Sequence, residues 1–263
     1  MPTVTVNGIR LSYEEQGRGE PLLLLMGLGA PGSIWADHLA VYAKSFRCII
    51  MDNRGAGESD RPTGPYTTAM MADDAAGLLE ALGVTSALVA GISMGSAIAQ
   101  QLALRHPAKV RRMVLVSSWA RCDTYLRDVF LSLARARSVL GSVDFIRLLQ
   151  LWIWSPRHFN THVEAMEEAR NAHPEALMSE HAFTAQAMAC ATHDALGLLR
   201  RITQPCLLTV GDADIFTPLR LSQEINDVLP DSRLEVFHGL GHCHHWEDLD
   251  RFNLLTSRFL GGG

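Results

Sequence analysis

A serine flanked by two glycines is the first feature of this sequence that could do chemistry. In the segment GISMGSAIAQ (residues 91–100), Gly91 and Gly95 each lie two positions from Ser93. The apolar run SALVA before this segment predicts a strand, and the residues MGSAIAQQLALRHP predict a helix. A chain that passes from strand to helix through one residue holds that residue at a strained, positive φ and leaves no room for nearby side chains. Ser93 is therefore predicted to be an exposed nucleophile; an ordinary glycine-rich turn is the alternative.

A serine hydroxyl is a weak nucleophile and needs a base, which a third group orients. In chains with such a turn, the acid follows the serine and the histidine follows the acid. The stretch VGDADIFTP, after a later predicted strand, offers Asp212 and Asp214 as the acid. The stretch HGLGHCHHWED offers four histidines as the base: His238, His242, His244 and His245. The residue types alone leave both choices open.

Neither a metal nor a cofactor is expected. The cluster HCHH (residues 242–245) has a zinc-like composition, but adjacent His244 and His245 cannot easily face one ion, and no second ligand pair is evident. The glycine-rich stretch MDNRGAGESD (51–60) lacks the G-x-G-x-x-G and G-K-S/T patterns that bind phosphates. It is interpreted as a structural turn.

The elements that must position these residues alternate between strands and helices. TVTV and IRLSYEE predict an antiparallel hairpin with its turn at Asn7–Gly8. Continuous apolar runs predict strands covered on both faces, at 22–26, 47–52, 86–92 and 113–118. Two further strands are predicted at 205–211 and 232–237. Helical periodicity appears at 67–83, 94–107, 218–229 and about 246–260. The expected fold class is α/β, with a mostly parallel sheet and helices on both faces.

This alternation stops at about residue 119. Residues 119–196 show helical patterns, among them PEALMSEHAFTAQAMACA from position 174, and no convincing strand. The sequence therefore predicts a core of residues 1–118 and 197–263, interrupted by a helical cap at 119–196. An insertion of this kind is expected above the carboxyl ends of the strands, as a lid over a site.

Composition excludes several classes of function. Hydrophobic residues make up 48% of the 263 residues, and the net charge is −5 with scattered Lys and Arg, so neither nucleic acid nor a membrane is an expected partner. The start MPTVTVNGIR does not resemble a signal peptide. Five cysteines without a C-x-x-C pair are typical of reduced thiols. We expect a cytoplasmic monomer or homodimer that acts on a small molecule.

Three motifs together resemble the α/β-hydrolase family, especially its cap-bearing esterases and 3-oxoadipate enol-lactonases. Beside GISMG, these are a G-x-x-D-x-x-x-P stretch, matched by Gly211, Asp214 and Pro218, and a G-H-x4-E stretch, matched by Gly241, His242 and Glu247. The resemblance implies an eight-stranded sheet and a catalytic triad of Ser93, Asp214 and His242. It leaves Asp212, His244 and His245 as expected loop or surface residues.

The resemblance also implies an oxyanion hole built from two backbone N–H groups. These belong to Met94 and to Leu28, and Gly27 lets the backbone turn toward the site. The family usually has histidine where this chain has Met26. Backbone donors survive that departure, but it is expected to change the hydrogen bonding of the loop and the polarity near the substrate.

The expected substrate is a mostly apolar carboxylic ester or lactone, cleaved through an acyl-enzyme. Candidate pocket walls, which could equally pack helices on each other, are Met26, Trp119, Trp152 and Trp154. Few groups could bind an ionised substrate: Arg121, Arg157, His158, His162, His173, His181 and His193. Alternatives are carbon–carbon bond hydrolysis, as in meta-cleavage product hydrolases, and cofactor-free perhydrolysis or haloperoxidation. A ligand sensor that barely turns over is the alternative of a different class.

Overall fold

An eight-stranded sheet carries the residues that the sequence singles out. The computed structural model describes residues 1–171 and 178–262. The strands are β1 (Thr3–Val6), β2 (Ile9–Gln16), β3 (Glu20–Leu25), β4 (Phe46–Met51), β5 (Ala87–Ile92), β6 (Val110–Val116), β7 (Cys206–Gly211) and β8 (Ser232–Phe237). Their order is β1-β2-β4-β3-β5-β6-β7-β8, antiparallel at β1–β2 and β2–β4 and parallel elsewhere. The predicted α/β fold with a mostly parallel sheet is confirmed.

Helices cover both faces of the sheet. They are α1 (Ala36–Tyr42), α2 (Thr68–Ala81), α3 (Met94–Arg105), α4 (Thr124–Val139), α5 (Ser142–Ile153), α6 (Pro156–Thr161), α7 (Val163–Asn171), α8 (Glu180–Ala191), α9 (Leu219–Val228), α10 (His244–Glu247) and α11 (Leu249–Leu260). Short 3-10 turns lie at Gly32–Trp35, Pro107–Lys109 and Leu196–Arg201. Among the described residues, no helix is both long enough and apolar enough to cross a membrane.

Continuous apolarity in the central strands follows from burial on two sides. In β3, Leu23 and Leu25 face the apolar cluster under α2 and α3. Leu22 and Leu24 face the opposite cluster, under α1 and α11. All four side chains are fully buried. A strand between two helical layers has no polar face, so its apolar residues do not alternate with polar ones.

The hairpin at the sheet edge forms as the sequence predicts. β1 pairs antiparallel with β2, and the turn between them holds Asn7 and Gly8 at φ values of 50° and 77°. Two successive residues at positive φ suit the right-handed twist of a two-residue hairpin, and Asn-Gly is the pair that adopts them most readily.

Helices α4 to α8 occupy the chain between β6 and β7, where the sequence predicts a cap. In the described part of 119–196, the strand-like pairing is one isolated bridge between Arg121 and Asp194. Residues 172–177 lie outside the described residues, and with them His173 and the first four residues of the helix predicted from position 174. The division into core and cap stays a prediction.

One predicted helix is wrong. The sequence predicts a single closing helix at about 246–260, whereas α10 ends at Glu247 and α11 begins at Leu249. Asp248 lies between them at φ −134° and ψ 64°, outside the helical region. The histidine-rich stretch therefore belongs to a separate short helix.

Helix α2 allows a direct test of how burial sets the contribution of an ion pair. Asp74 accepts two hydrogen bonds from Arg54, of 2.6 and 2.7 Å, and these side chains are 1% and 7% exposed. Its neighbour Asp73 makes the same pair with Arg105, but these side chains are 34% and 45% exposed.

We predict that Asp74→Ala lowers the free energy of unfolding by about 3–5 kcal/mol, because it leaves a buried guanidinium unpaired. Asp73→Ala should cost at most about 1 kcal/mol. Urea unfolding measures the free energy of unfolding of both variants. Equal losses of stability in the two variants would contradict the prediction.

Candidate active site

The turn at Ser93 has the geometry that the sequence predicts. Strand β5 passes into α3 through Ser93 alone, which has φ 53° and ψ −117°. A Cβ atom on Gly91 would lie 2.3 Å from the carbonyl oxygen of Gly95, and one on Gly95 would lie 2.1 Å from that of Leu25. Both glycines are therefore required by close backbone contact. The strain at Ser93 places its side chain at the N-terminus of α3, where the helix dipole favours negative charge.

An acid and a histidine meet at the ends of β7 and β8, two neighbouring strands of the sheet. Asp214 follows β7 and His242 follows β8, and His242 Nδ1 donates to Asp214 Oδ2 at 2.8 Å. The other carboxylate oxygen of Asp214 accepts the backbone N–H groups of Phe216 and Thr217, each at 2.8 Å. With Nδ1–H committed to Asp214, the Nε2 atom of His242 is the acceptor of this imidazole.

Ser93 and His242 line one cavity. No hydrogen bond joins their side chains among those found between described residues. Catalytic hydrogen bonds without substrate are often long and shorten only in the complex. The structure thus brings Asp214 and His242 into direct contact, and it places Ser93 in the same cavity as His242.

Two side chains that sequence reasoning missed hold the histidine. Thr217 Oγ1 lies 2.8 Å from Asp214 Oδ2 and 3.0 Å from His242 Nδ1. Ser117 Oγ donates to the backbone carbonyl of His242 at 2.9 Å. Ser117 follows β6 and has φ 50°, unusual for a residue other than glycine. Its position at the end of a predicted strand was the signal available in the sequence.

The loop after β3 lies against Ser93, as the oxyanion-hole assignment requires. A Cβ atom on Gly27 would lie 3.3 Å from Ser93 Cβ. Among the described residues, neither the Leu28 N–H nor the Met94 N–H has an acceptor. Asn53 Nδ2 donates to the Met26 carbonyl oxygen at 3.0 Å and holds the start of the loop from the core.

The loop that carries His242 is tied to the predicted cap through Glu247. One carboxylate oxygen of Glu247 accepts the backbone N–H groups of Gly241 and Ser155, each at 3.0 Å. The Ser155 hydroxyl donates to the other oxygen. Ser155 directly follows Trp154, which lines the cavity. The Glu247 carboxylate therefore links Ser155, next to the cavity wall, to Gly241, next to His242.

His244 and His245 are not surface or loop residues, contrary to the prediction. Both lie in α10 and are fully buried. His244 Nε2 pairs with Thr209 Oγ1 at 3.0 Å, and His245 Nδ1 pairs with His38 Nε2 at 3.1 Å. Sequence spacing does not indicate that this turn packs inward. Asp212 does lie on the surface, where it pairs with His238 at 2.8 Å.

The histidine cluster provides no metal site in the part of the chain that the structure describes. No group of three or more His, Cys, Asp or Glu side chains there could hold an ion. His244 and His245 contact hydroxyl and imidazole partners within the core. Their chemistry is that of neutral, buried imidazoles.

The cavity above Ser93 has a volume of about 630 Å³ and is mainly apolar. Met26 and Trp154 line it, as expected, together with Leu28, Ile153, Phe183 and Phe216. Trp119 and Trp152 are not among its described lining residues, so their assignment as walls is wrong. Trp119 is fully buried against Phe130 and His193, and the Trp152 ring centroid lies 6.4 Å from that of Phe216.

Charge is nearly absent from this cavity. Its described lining contains no Lys or Arg, and Asp37 is its one carboxylate. Neither Arg121, Arg157 nor a histidine of the predicted cap lies among the described lining residues. His193, one of those histidines, is buried instead against Thr68, with Nδ1 2.9 Å from Oγ1. Nothing in the described wall would neutralise a substrate carboxylate.

Comparison with known proteins places this geometry in context. A family model for the alpha/beta hydrolase fold matches residues 20–249. A protein of Azorhizobium caulinodans, provisionally named carbamate hydrolase RutD, is 31% identical over 266 residues, covering 99% of this chain and 98% of that protein. A thermophilic esterase from Thermogutta terrifontis, solved with malate bound, is 28% identical with a TM-score of 0.85, covering 98% of this chain and 96% of the esterase. The enol-lactonase from Burkholderia xenovorans LB400 has a TM-score of 0.91 at 24% identity, covering 99% and 100%, which is a likeness of fold.

Buried histidines give the protein a predictable sensitivity to acid. Burial lowers the pKa of His38 and of His193 to about 4, lowers the pKa of His244 to about 3, and holds the pKa of His245 well below its usual range. Below about pH 6.5, the unfolded chain binds protons at these positions and the folded chain does not. We therefore predict that stability falls as the pH drops from 6.5 toward 4, by up to about 1.4 kcal/mol per pH unit for each such histidine.

Urea unfolding at several pH values measures this slope. The variant His193→Asn should reduce this slope by up to about 1.4 kcal/mol per pH unit, the contribution of one proton. His181→Asn, which removes a histidine that solvent already reaches in the folded protein, should leave it unchanged. A stability that does not change between pH 7 and 5 would contradict the prediction.

Proposed function

This chain belongs to the α/β-hydrolase family, and from that premise we propose that it is a serine hydrolase of carboxylic esters or lactones. The nucleophile is Ser93, the base is His242 and the orienting acid is Asp214. One observation carries the proposal: a serine held at positive φ at a strand–helix junction shares a cavity with a histidine whose Nδ1 donates to a buried carboxylate. Strain of this kind persists where the surrounding structure over-determines it, commonly at active sites.

The first half of the reaction forms an acyl-enzyme. Ser93 Oγ bonds to the substrate carbonyl carbon while its proton passes to His242 Nε2. The carbonyl π electrons move to its oxygen, and Asp214 stabilises the imidazolium. When the tetrahedral intermediate collapses, the bond to the leaving oxygen breaks and that oxygen takes the proton from His242. A lactone keeps its alcohol attached to the acyl group.

The second half regenerates the enzyme. His242 accepts a proton from water, which attacks the acyl carbon, and then returns that proton to Ser93 as the acid product leaves. The Leu28 and Met94 N–H groups stabilise the oxyanion in both halves. Their lack of any acceptor among the described residues supports this role, because a donor that is ready to bind developing charge needs no reorganisation.

The cavity favours an uncharged substrate of low polarity. Its wall is apolar and carries one carboxylate and no described cation. An anionic substrate would lose its hydration there and gain no opposite charge, which is unfavourable. A neutral acyl group of moderate length would bury its surface against Leu28, Trp154 and Phe183, and this burial supplies the binding energy.

We assign residues 119–196 as a cap over a core formed by 1–118 and 197–263. The support is that α5, α8 and Trp154 supply part of the cavity wall above Ser93. A cytoplasmic location is also part of the proposal. All five cysteines are free thiols, which suits a reducing compartment.

A carbamate ester is the second candidate substrate. The relative provisionally named a carbamate hydrolase is 31% identical across nearly the whole chain. A carbamate presents the same carbonyl to Ser93, and the same two N–H groups would hold its oxyanion. Its N–H group makes it more polar than an ester, and the apolar cavity therefore favours the ester.

The variant Ser93→Ala tests the nucleophile. We predict that it lowers kcat/KM by about 10⁴-fold or more, because nucleophilic and base catalysis are lost together. The substrates are p-nitrophenyl acetate, butyrate and octanoate, with a simple lactone and an alkyl carbamate beside them. The order of rates decides between ester, lactone and carbamate. Turnover that persists in Ser93→Ala would contradict the proposal. If a vinylogous diketone were the sole productive substrate, carbon–carbon bond hydrolysis would be favoured, and if peroxide plus acetate were, perhydrolysis would be favoured.

Two neighbouring aspartates test the acid with a matched control. Asp214→Asn should lower kcat by about 10⁴-fold, because an amide can hold the imidazole in the wrong tautomer. Asp212→Asn makes the same change two residues away, on a surface carboxylate that pairs with His238. It should leave kcat within about twofold. Equal effects of the two variants on kcat would show that Asp214 is not the orienting acid.

A further inference from the structure

The loop after β3 (residues 26–30), which we call the oxyanion loop, is held by contacts from other parts of the chain. The resemblance leads one to expect histidine where the chain has Met26, and the methionine side chain offers no hydrogen-bond donor. Asn53 fixes the start of the loop through the Met26 carbonyl. The end of the loop is held from the predicted cap: the Gly29 N–H donates to Gln186 Oε1 of helix α8 at 3.0 Å.

Gln186 is itself fixed at both ends of its amide. Its Nε2 donates to the backbone carbonyl of Arg54 at 2.8 Å, and the residue is fully buried. Because one partner is a donor and the other an acceptor, only one orientation of the amide satisfies both. Arg54 in turn is bound to Asp74 through its buried guanidinium. The glutamine therefore joins the loop to a rigid part of the core.

The bonded peptide is the part of the loop that could turn over. The Ala30 N–H donates to the Gly27 carbonyl at 3.4 Å, which makes Leu28 and Gly29 the central residues of a turn. Gly29 has φ 78°, the value that position i+2 of a type II turn requires. Type I and type II turns differ in the orientation of the peptide between these two residues. Gln186 accepts from that peptide and so selects one orientation.

Close packing reinforces this contact. A Cβ atom on Gly29 would lie 2.8 Å from the ring of Phe183, one turn before Gln186 in α8. The helix thus lies directly on the turn, and Phe183 also lines the cavity.

We propose that Gln186 is a positioning residue for the oxyanion hole. By fixing the Leu28–Gly29 peptide, it keeps the adjoining Leu28 N–H directed at the position of the developing charge. The proposal rests on the proposed function, since it takes Leu28 as an oxyanion donor. It adds that the helical insertion does more than wall the cavity: it sets the geometry of the transition-state site.

The test replaces Gln186 with methionine, which keeps the side-chain length and removes both hydrogen bonds. We expect kcat for p-nitrophenyl butyrate to fall about tenfold, less than the 10²–10³-fold that follows outright loss of a donor. KM should change less than twofold, because the contact acts on the transition state. The affinity of an alkyl trifluoromethyl ketone, whose adduct with Ser93 carries an oxyanion, should fall by the same factor as kcat.

Gln150→Met is the matched control. Gln150 is also a buried glutamine of the insertion, and it binds the Met166 carbonyl at 3.1 Å and Arg170 Nε at 2.6 Å. Neither of these partners among the described residues belongs to the oxyanion loop. It should lower the melting temperature comparably and leave kcat and ketone affinity unchanged. Gln186→Glu, which still accepts from Gly29, should recover part of the kcat lost in Gln186→Met. It also serves as the informative variant if Gln186→Met fails to fold.

A Gln186→Met enzyme that matches Gln150→Met in kcat and in ketone affinity would overturn the proposal. If the proposed function is wrong, the wild type turns over no ester, lactone or carbamate. The kcat values of the variants then cannot be compared. In that case the rate of Ser93 modification by a fluorophosphonate, whose phosphoryl oxygen would occupy the same donors, replaces kcat. The same tenfold difference between Gln186→Met and Gln150→Met is expected, and its absence would likewise overturn the proposal.

Discussion

The strained backbone of Ser93 is the constraint on which the rest of the site depends. Central strand β5 must end and α3 must begin within one residue, and this is accommodated only because Gly91, Gly95 and the end of β3 meet in backbone contact. The cost of a positive φ at a non-glycine residue, of order 1–3 kcal/mol, is offset by the packing of both elements into the core. A looser junction would leave the hydroxyl without a fixed direction.

Parallel strands then bring the other groups to the same edge. The loops after β3, β7 and β8 place the oxyanion loop, Asp214 and His242 around Ser93, since the carboxyl ends of parallel strands lie together. The helical insertion closes this arrangement at two points. Glu247 ties it to the loop of His242, and Gln186 ties it to the oxyanion loop. A displacement of the insertion would therefore move both the loop that carries His242 and the loop after β3. The cavity wall and the geometry around Ser93 are coupled in this way.

The sequence predicts those features that local chemistry dictates. Gly-x-Ser-x-Gly between a strand and a helix predicts the turn at Ser93, and continuous apolar runs predict the central strands. Features that depend on the direction of packing were missed. An aromatic residue has the same sequence signature in a cavity wall and in a core, so Trp154 and Trp119 could not be separated. The burial of His244 and His245 is a matter of tertiary packing, and the bond between Gln186 and Gly29 joins residues that are 157 positions apart. No periodicity reports such a contact.

The most direct test of this account is to locate the reactive nucleophile. The wild-type protein is treated with a fluorophosphonate near neutral pH, and the adduct is mapped by peptide mass spectrometry. We predict one adduct per chain, on the peptide that contains Ser93. Absence of any adduct, or an adduct on another residue while Ser93 stays unmodified, would contradict the claim that the strained serine is an activated nucleophile.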